Sequence, residues 1–310
     1  MGLRVYMTLL SRSSYLAGAL VLHHSLQAVE AKYPLIVLVT PTLPEEALQI
    51  LTQSRIETKQ VELLLLPESR YEQSKTEVRF ADVWTKIRVF GLEEYEKIVF
   101  LDSDMLVRRN MDEIFDYPIS PNQIAATVPE NCGYSQPDYP ACLQHLDLSA
   151  PKPRPYSLLN SGMFLCRPSR DLMKRMRKML DTSPRIANWK LCDQDLIGTF
   201  FGGGGEEPEG WGDITKDEIG DPWMRVPYYY NALRTMRNKH SSFWRDEDIR
   251  AIHYIGDKPW MVRPPASGTE AYEPTMRWWW ASYNKLLEKL EKDGRKVDIG
   301  YIESHVAPKA

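Results

Sequence analysis

The sequence predicts an α/β fold in which a mostly parallel, mixed sheet is flanked by helices. Strand-length apolar segments alternate with helical segments over residues 3–66, the order typical of β-α-β units. Ile98–Leu101 is a continuous apolar run, as in strands buried on both faces of a parallel sheet. Apolar residues at helical spacing over residues 276–290 predict an amphipathic helix near the end of the chain.

Length and charge limit the kinds of protein that this chain can be. With 310 residues, it is long enough for one large domain with its own core. Its net charge of −3 gives no basic excess, so neither nucleic acid nor a membrane is expected as a partner. The four cysteines lack CxxC spacing, which favours reduced thiols and a cytoplasmic protein. We expect neither a targeting peptide nor a membrane span.

The first 66 residues contain the alternating elements of the predicted sheet. Apolar runs mark the strands, one-sided apolar spacing marks the first helix, and Pro44 marks the start of the second. In chain order they are strand Leu3–Leu10, helix 15–29, strand Leu35–Val39, helix 44–53 and strand Val61–Leu66. No G-x-G-x-x-G follows the first strand, so the usual Rossmann dinucleotide loop is not expected.

A helix is predicted before the Ile98–Leu101 strand. Its apolar stripe consists of Phe80, Val83, Trp84, Ile87 and Phe90. Lys86 lies at the edge of this stripe. It either reaches past the sheet toward a phosphate or lies over its own helix as a surface lysine, and its position alone does not decide between the two.

An acidic motif, Asp102-Ser103-Asp104, follows that strand directly. The carboxyl ends of parallel strands are where open α/β sheets bind ligands. If the chain turns at Ser103, both carboxylates can bind one hard cation, which suits a diphosphate ligand. The alternative is a solvated acidic turn of the kind common in loops.

Three later segments contain further candidate site residues. The strand Leu158–Cys166 includes Asn160-Ser161-Gly162, where glycine would let a ligand approach the backbone. Asp193-Gln194 opens a helix, and the helix dipole is a sufficient structural reason for an acidic residue there. His253 precedes Gly256 and Lys258. A lone histidine is usually structural, but this one could also be the third ligand of a divalent metal.

Several of these residues belong to short motifs that follow one another along residues 4–265. They are Tyr15 with Gly18-Ala19-Leu20, Thr85-Lys86, Asp102-Ser103-Asp104, Asn160-Ser161-Gly162-Met163-Phe164, Asp193-Gln194, Tyr230-Asn231 and His253 with Gly256-Asp257-Lys258-Pro259-Trp260. In this order they resemble the retaining glycosyltransferases of family 8, the group of glycogenin and galactinol synthase. Residues 33–46 and 230–233 look closer to the galactinol synthase branch.

The resemblance implies a GT-A fold, a Mn²⁺-dependent site for a UDP-sugar donor, and transfer with retention of anomeric configuration. Carried over by position, the metal ligands would be Asp102, Asp104 and His253. The donor and its diphosphate would be bordered by Leu9, Ser11, Tyr15, Lys86, Asp102, Ser103, Asp104, Gly256 and Lys258. The catalytic residues facing the sugar would be Asn160, Asp193 and Gln194. Asp193 is the candidate to stabilise or attack the anomeric carbon, and double displacement and same-face attack both stay open.

Departures from the family pattern leave the acceptor open. Residues 237–240 contain no tyrosine, where glycogenin glucosylates itself, and Asp193 stands where plant galactinol synthases carry glutamate. The expected reaction moves galactose or glucose to a small polyol or saccharide, with myo-inositol as one candidate. A glycogenin-like transfer to the protein itself, a glucan or another protein is the alternative. A non-catalytic nucleotide-binding protein is the third hypothesis, which the retained ligand residues disfavour.

The single domain, residues 1–310, is expected to divide into functional parts. Residues 1–117 would form the nucleotide-binding half, 118–265 the acceptor half with the metal-binding histidine, and 266–310 a helical extension. Two irregular stretches, 118–155 and 202–226, are expected to determine acceptor choice, because binding specificity commonly lies in loops. The sequence leaves the oligomeric state open, a homodimer included.

Overall fold

The computed structural model describes residues 2–70, 82–128, 159–189, 191–202, 219–263 and 273–308. Its strands are β1 (Leu3–Leu10), β2 (Leu35–Val39), β3 (Glu57–Gln60), β4 (Tyr95–Leu101), β5 (Met105–Val107), β6 (Ala125–Thr127), β7 (Asn160–Cys166), β8 (Met224–Arg225), β9 (Ala232–Leu233) and β10 (Ala251–His253). Seven strands form one sheet in the order β3-β2-β1-β4-β7-β6-β8, and a second sheet has the order β5-β10-β9.

The large sheet is mixed and mostly parallel, as predicted. β1 pairs in parallel with β2 and with β4, and β2 pairs in parallel with β3. The antiparallel strand β7 lies between β4 and β6. All seven residues of β7 are buried, so this strand extends the sheet without exposing an edge near the end of β4.

Helices cover both faces of this sheet. They are α1 (Leu16–Ala28), α2 (Glu45–Gln53), α3 (Arg170–Thr182), α4 (Asp193–Phe201), α5 (Met236–Lys239), α6 (Glu273–Lys292) and α7 (Lys296–Glu303). On one face, Tyr6 and Leu10 of β1 pack in a cluster that includes residues of α1 and α6. On the other, Val5 and Met7 pack in a cluster with residues of α3 and α4. Within the described part of the chain, no helix combines the length and apolar character that a bilayer crossing requires.

The position predicted for the third strand is wrong. The strand is the polar segment Glu57–Gln60, and Val61–Leu66 lies outside it. β2 ends at Val39, whose carbonyl accepts the N–H of Val61 at 2.9 Å, so no partner is left for a longer ladder. The apolar side chains of Val61, Leu64 and Leu66 are buried all the same. Their hydrophobicity therefore reflects core packing after the strand.

The helix before β4 is present, but it is a 3₁₀-helix, Val83–Gly91. Trp84, Ile87 and Phe90 are fully buried, and their spacing of three matches the three residues per turn of this helix type. Phe80, which was assigned to the same stripe, lies outside the described residues.

The stretch 118–155 was predicted to be irregular, but it contains a strand. Ala125–Thr127 is buried because β6 lies between β7 and β8 in the sheet. The rest of this stretch beyond Val128, and residues 203–218 of the second irregular stretch, lie outside the described residues.

Candidate active site

The Asp102-Ser103-Asp104 motif, called the acidic turn below, connects β4 to β5 at the carboxyl end of β4. The N–H of Met105 donates to the carbonyl of Asp102 at 3.1 Å, and the N–H of Asp102 donates to the carbonyl of Gly162 at 2.7 Å. Ser103 and Asp104 are only 7% and 6% exposed. The alternative of a solvated turn is therefore wrong.

His253 is brought to the acidic turn by β10, which pairs antiparallel with β5 and places His253 opposite Met105. Its Nε2 lies 3.2 Å from Oδ1 of Asp104 and 3.9 Å from Oδ2 of Asp102. One ligand atom from each of these three residues lies within 4.8 Å of the others. Two carboxylates and an imidazole at this separation could share one metal ion.

Asp104 is held by two partners. Its Oδ2 accepts a hydrogen bond from Nζ of Lys258, and its Oδ1 faces His253. Burial disfavours its ionised form, but the charges and hydrogen bonds of His253 and Lys258 outweigh burial and lower the pKa of Asp104. Asp104 is therefore an anion throughout the neutral range.

Lys86 is buried, so the alternative of a surface lysine is wrong. Its Nζ lies 2.9 Å from Oδ1 of Asp102 and 2.6 Å from Oδ2 of Asp193. Burial disfavours the ammonium form, but the two carboxylates outweigh burial and raise the pKa of Lys86. Lys86 thus joins a candidate metal ligand to a residue predicted to face the sugar. Its contact with a phosphate stays a prediction.

The three residues predicted to face the sugar lie together where β7 begins and α4 starts. Oε1 of Gln194 accepts from Nδ2 of Asn160 and from the N–H of Ser161, both at 3.3 Å. Oδ2 of Asp193 accepts from the hydroxyl of Ser161 at 3.0 Å. Asp193 is 8% exposed. It therefore has a charged partner and a hydrogen-bond partner in addition to the helix dipole.

Gly162 accommodates a protein side chain, where a ligand was expected. A Cβ atom at this position would lie 2.3 Å from Cε1 of His253, well inside van der Waals contact. A second glycine, Gly18 in α1, lets the acidic turn approach the helix, because a Cβ there would lie 2.4 Å from the carbonyl oxygen of Ser103. Both glycines belong to motifs that carried the resemblance.

The residues predicted to border the nucleotide extend from β1. Met7 pairs with Phe100 across the parallel β1–β4 ladder, so Leu9 lies level with Asp102. Beyond the strand, the ring of Tyr15 packs edge-on against Trp260 with centroids 5.3 Å apart. These residues lie near the acidic turn, and their contact with a nucleotide stays a prediction.

Ser11 and Gly256 lie in the loops beside this site. The hydroxyl of Ser11 donates to the carboxylate of Asp82, which also pairs with Arg12. Gly256 has a φ of +73°, a left-handed conformation that favours glycine. It shapes the loop between His253 and Lys258.

Two residues with structural roles at the site were not assigned by sequence reasoning. Asp82 holds the loop of Ser11 and Arg12, and no local pattern marks it. Asn231, 2% exposed, contacts His253, Asn160 and Thr127. The sequence feature that could have identified Asn231 is the Tyr230-Asn231 motif, to which no role had been assigned.

Comparisons with known proteins agree with this architecture. Galactinol synthase 1 of Solanum lycopersicum is 27% identical over 302 residues, covering 94% of this chain and 86% of that protein. Galactinol synthase 4 of Arabidopsis thaliana is 25% identical over 296 residues, covering 91% and 81%. Among solved structures, galactosyltransferase LgtC in complex with donor and acceptor sugar analogs has a TM-score of 0.57 at 14% identity, covering 91% of this chain and 96% of that one.

A second structural relative has the same fold. The apo form of the glycosyltransferase GlyE of Streptococcus pneumoniae has a TM-score of 0.56 at 14% identity, covering 95% of this chain and 64% of that one. The model for "Glycosyl transferase family 8" matches residues 7–262, which is most of the chain. The chain therefore belongs to glycosyltransferase family 8 and has the GT-A fold of that family.

Proposed function

We propose that this glycosyltransferase is a metal-dependent, retaining hexosyltransferase that moves galactose or glucose from a UDP-sugar to a small polyol or saccharide. The observation that carries the proposal is the convergence of Asp102, Asp104 and His253 beside Lys258. The names of the relatives, galactinol synthases, favour UDP-galactose as donor and myo-inositol as acceptor.

The donor set of the proposed metal site fits Mn²⁺. Carboxylate oxygens suit hard divalent ions, and an imidazole nitrogen is a common additional ligand for first-row metals. Asp104 is already ionised, so it needs to lose no proton before binding a cation. When bound, Mn²⁺ would supply positive charge to the diphosphate leaving group. Lys258, after exchanging its contact with Asp104, would supply a second positive charge.

Residues on the sugar side are held in place by the protein. Among the described residues, Lys86 and Ser161 contact Oδ2 of Asp193. We propose that Oδ1 faces the anomeric carbon, either as nucleophile or as stabiliser of positive charge. Gln194 accepts hydrogen bonds through Oε1, so its Nε2 is left to donate to a sugar hydroxyl. We propose that residues 1–117 form the nucleotide-binding half, 118–265 the acceptor and sugar half with the metal-binding histidine, and 266–310 a C-terminal helical extension.

The test is a donor–acceptor screen that measures UDP release. UDP-galactose and UDP-glucose are each offered with myo-inositol and with simple sugars, before and after chelation by EDTA. We expect acceptor-dependent release that EDTA abolishes and Mn²⁺ restores. Release that is independent of every acceptor would contradict the transfer, and undiminished activity after exhaustive chelation would contradict the metal role.

Transfer to the protein itself is tested by intact mass. The region of residues 237–240 contains no tyrosine, and we expect no mass increment after incubation with UDP-glucose alone. Increments of one hexose would favour the glycogenin-like alternative.

A further inference from the structure

A buried chain of hydrogen bonds leads from the backbone of β7 to His253. Its starting point is the N–H of Gly162, which donates to Oδ1 of Asn160 at 3.0 Å. A main-chain N–H can only donate, so this contact fixes which end of the Asn160 amide is the oxygen.

The next step orients Asn231. Its amide contacts the same Oδ1 of Asn160 at 2.7 Å and Oγ1 of Thr127 at 3.1 Å. Because Oδ1 of Asn160 is an acceptor, the group that meets it must be the Nδ2 donor of Asn231. The oxygen of Asn231 therefore points the other way, toward His253.

The last step sets the proton on the imidazole. Oδ1 of Asn231 lies 3.1 Å from Nδ1 of His253, and an amide oxygen can only accept, so Nδ1 carries the hydrogen. Asn231, Thr127 and His253 are 2%, 0% and 5% exposed, which keeps water from offering a competing partner. In the neutral ring, the lone pair is then on Nε2.

A lone pair on Nε2 of His253 is suited to binding a cation. This atom faces Oδ1 of Asp104 at 3.2 Å. A ring protonated on both nitrogens donates to this carboxylate, whereas in the neutral Nδ1–H ring both atoms are acceptors that repel each other unless a cation lies between them. Gly162 also provides the space for the ring, because a Cβ there would lie 2.5 Å from Nδ1. The same glycine thus starts the hydrogen-bond chain and admits the histidine.

We propose that Asn231 is a positioning residue that holds His253 as the Nδ1–H tautomer, with Nε2 directed at the metal, and that connects this ligand to Asn160 on the sugar side. The inference rests on the metal site of the proposed function. Asn160 continues the chain through Nδ2 to Oε1 of Gln194 at 3.3 Å. The orientations of a candidate metal ligand and of two sugar-facing amides therefore depend on one buried side chain.

The tautomer is read directly by long-range ¹H–¹⁵N NMR of the metal-free protein labelled at histidine, at a pH where the ring is neutral. The signals of His253 are assigned by their loss in His253→Gln. We expect the Nδ1–H pattern in the wild type and in Asn231→Asp, which keeps an acceptor for Nδ1 although it loses the donor to Asn160. Asn231→Ala should lose the preference.

The second measurement is the affinity for Mn²⁺, determined from the electron paramagnetic resonance signal of the unbound ion. Loss of an outer partner of a metal-binding histidine typically weakens binding 10- to 100-fold, and we expect roughly this loss in Asn231→Ala. Thr127→Val is the matched control. It removes the hydroxyl to which Asn231 donates and keeps the contact between Asn231 and His253. The affinity for Mn²⁺ should therefore stay within about threefold of the wild type, since a single neutral hydrogen bond contributes little.

An Nε2–H pattern in the wild type, or unchanged tautomer and affinity in Asn231→Ala, would overturn the inference. Equal losses in Asn231→Ala and Asn231→Asp, for both tautomer and affinity, would show a merely structural role and overturn it too. Absence of Mn²⁺ binding by the wild type would instead contradict the metal site of the proposed function, and the ring spectra would still decide the role of Asn231.

Discussion

At the scale of single residues, the carboxylate of Asp104 lies between an imidazole and an ammonium group. Lys258 is bonded to one oxygen and His253 faces the other. The lowered pKa of Asp104 means that the folded state binds a proton less readily than the unfolded chain, whose value is 3.8. This group therefore stabilises the fold above that pH, and its contribution is lost as the pH falls through the native pKa.

Asp104→Asn should abolish turnover, because it removes an anionic ligand of the proposed metal. In metal-free protein the variant should melt at a lower temperature than the wild type near neutral pH, since Lys258 loses its charged partner. This difference should shrink as the pH falls below about 4, where the unfolded wild-type chain binds a proton at Asp104 more readily than the folded protein does. Melting temperatures measured against pH check this. Retained turnover, or a difference that grows in acid, would contradict the assignment.

Gly162→Ala should displace His253. The added methyl would lie 2.3 Å from Cε1 of the ring, so the ring must move away from Asp104, and we expect Mn²⁺ affinity to fall at least tenfold. Gly300→Ala in α7 is the control, because a Cβ there meets nothing within 4 Å. Alanine at that helical position should leave Mn²⁺ affinity unchanged and raise stability by roughly 0.5–1 kcal/mol. Equal Mn²⁺ affinity in both variants would exclude the steric argument.

At the scale of elements, α1 connects the predicted nucleotide loop to the core and ends in a left-handed turn. Glu30 has a φ of +54°. The N–H of Ala31 donates to the carbonyl of Leu26 at 3.0 Å, and the N–H of Glu30 donates to that of Gln27, also at 3.0 Å. This is the Schellman pattern, in which glycine is the favoured residue at the left-handed position.

Glu30→Gly should raise the free energy of unfolding by about 0.5–1 kcal/mol, because glycine adopts this conformation without the steric penalty of a Cβ atom. Glu30→Ala retains the Cβ atom and should bring no gain. Chemical denaturation of the two variants and the wild type gives the comparison. A gain in both variants would assign the effect to the lost charge and refute the backbone explanation.

The last helices belong to the same fold as the site. The hydroxyl of Tyr301 in α7 lies 3.0 Å from Oγ of Ser13, in the loop after β1. Beyond α7, the N–H of Ala307 donates to the carbonyl of Trp260 at 2.7 Å. Since Trp260 packs on Tyr15, the end of the chain supports both loops that are predicted to border the donor.

At the scale of the whole molecule, the two sheets bring distant segments to one place. Lys258 bonds to Asp104 across 154 residues of sequence. In the large sheet, β4 ends at the acidic turn. In the small sheet, β10 pairs with β5, which places His253 next to that turn. Neither half of the chain alone could assemble this cluster.

Binding of the proposed donor should therefore stabilise the molecule as a unit. A ligand that binds only the folded state, at a hundredfold excess over its Kd, adds roughly 2.7 kcal/mol to the free energy of unfolding. We expect UDP with Mn²⁺ to raise the melting temperature by several degrees and EDTA to cancel the rise. An equal shift by UDP in the presence of EDTA would show that the nucleotide binds without metal.

Sequence reasoning predicted the elements that have strong local patterns. β1, β2, β4 and α1 were expected within a few residues of where they lie, and the family motifs pointed to the residues that surround the acidic turn. The predicted position of β3 was wrong, because hydrophobicity reports burial and not strand pairing. β6 was not predicted, since three residues are too few for a recognisable period, and neither Asp82 nor Asn231 had been assigned a role.

By itself, the sequence determined the α/β class, the family and the residue types available for the site, because apolar periodicity and motif order are properties of the linear chain. Only the tertiary structure decided how those residues are paired. It placed Lys86 between Asp102 and Asp193, filled the space beside Gly162 with His253, and set the direction of hydrogen bonding through Asn231. These contacts join residues that are far apart in the sequence, and they depend on how the strands and helices pack together, which local patterns do not specify.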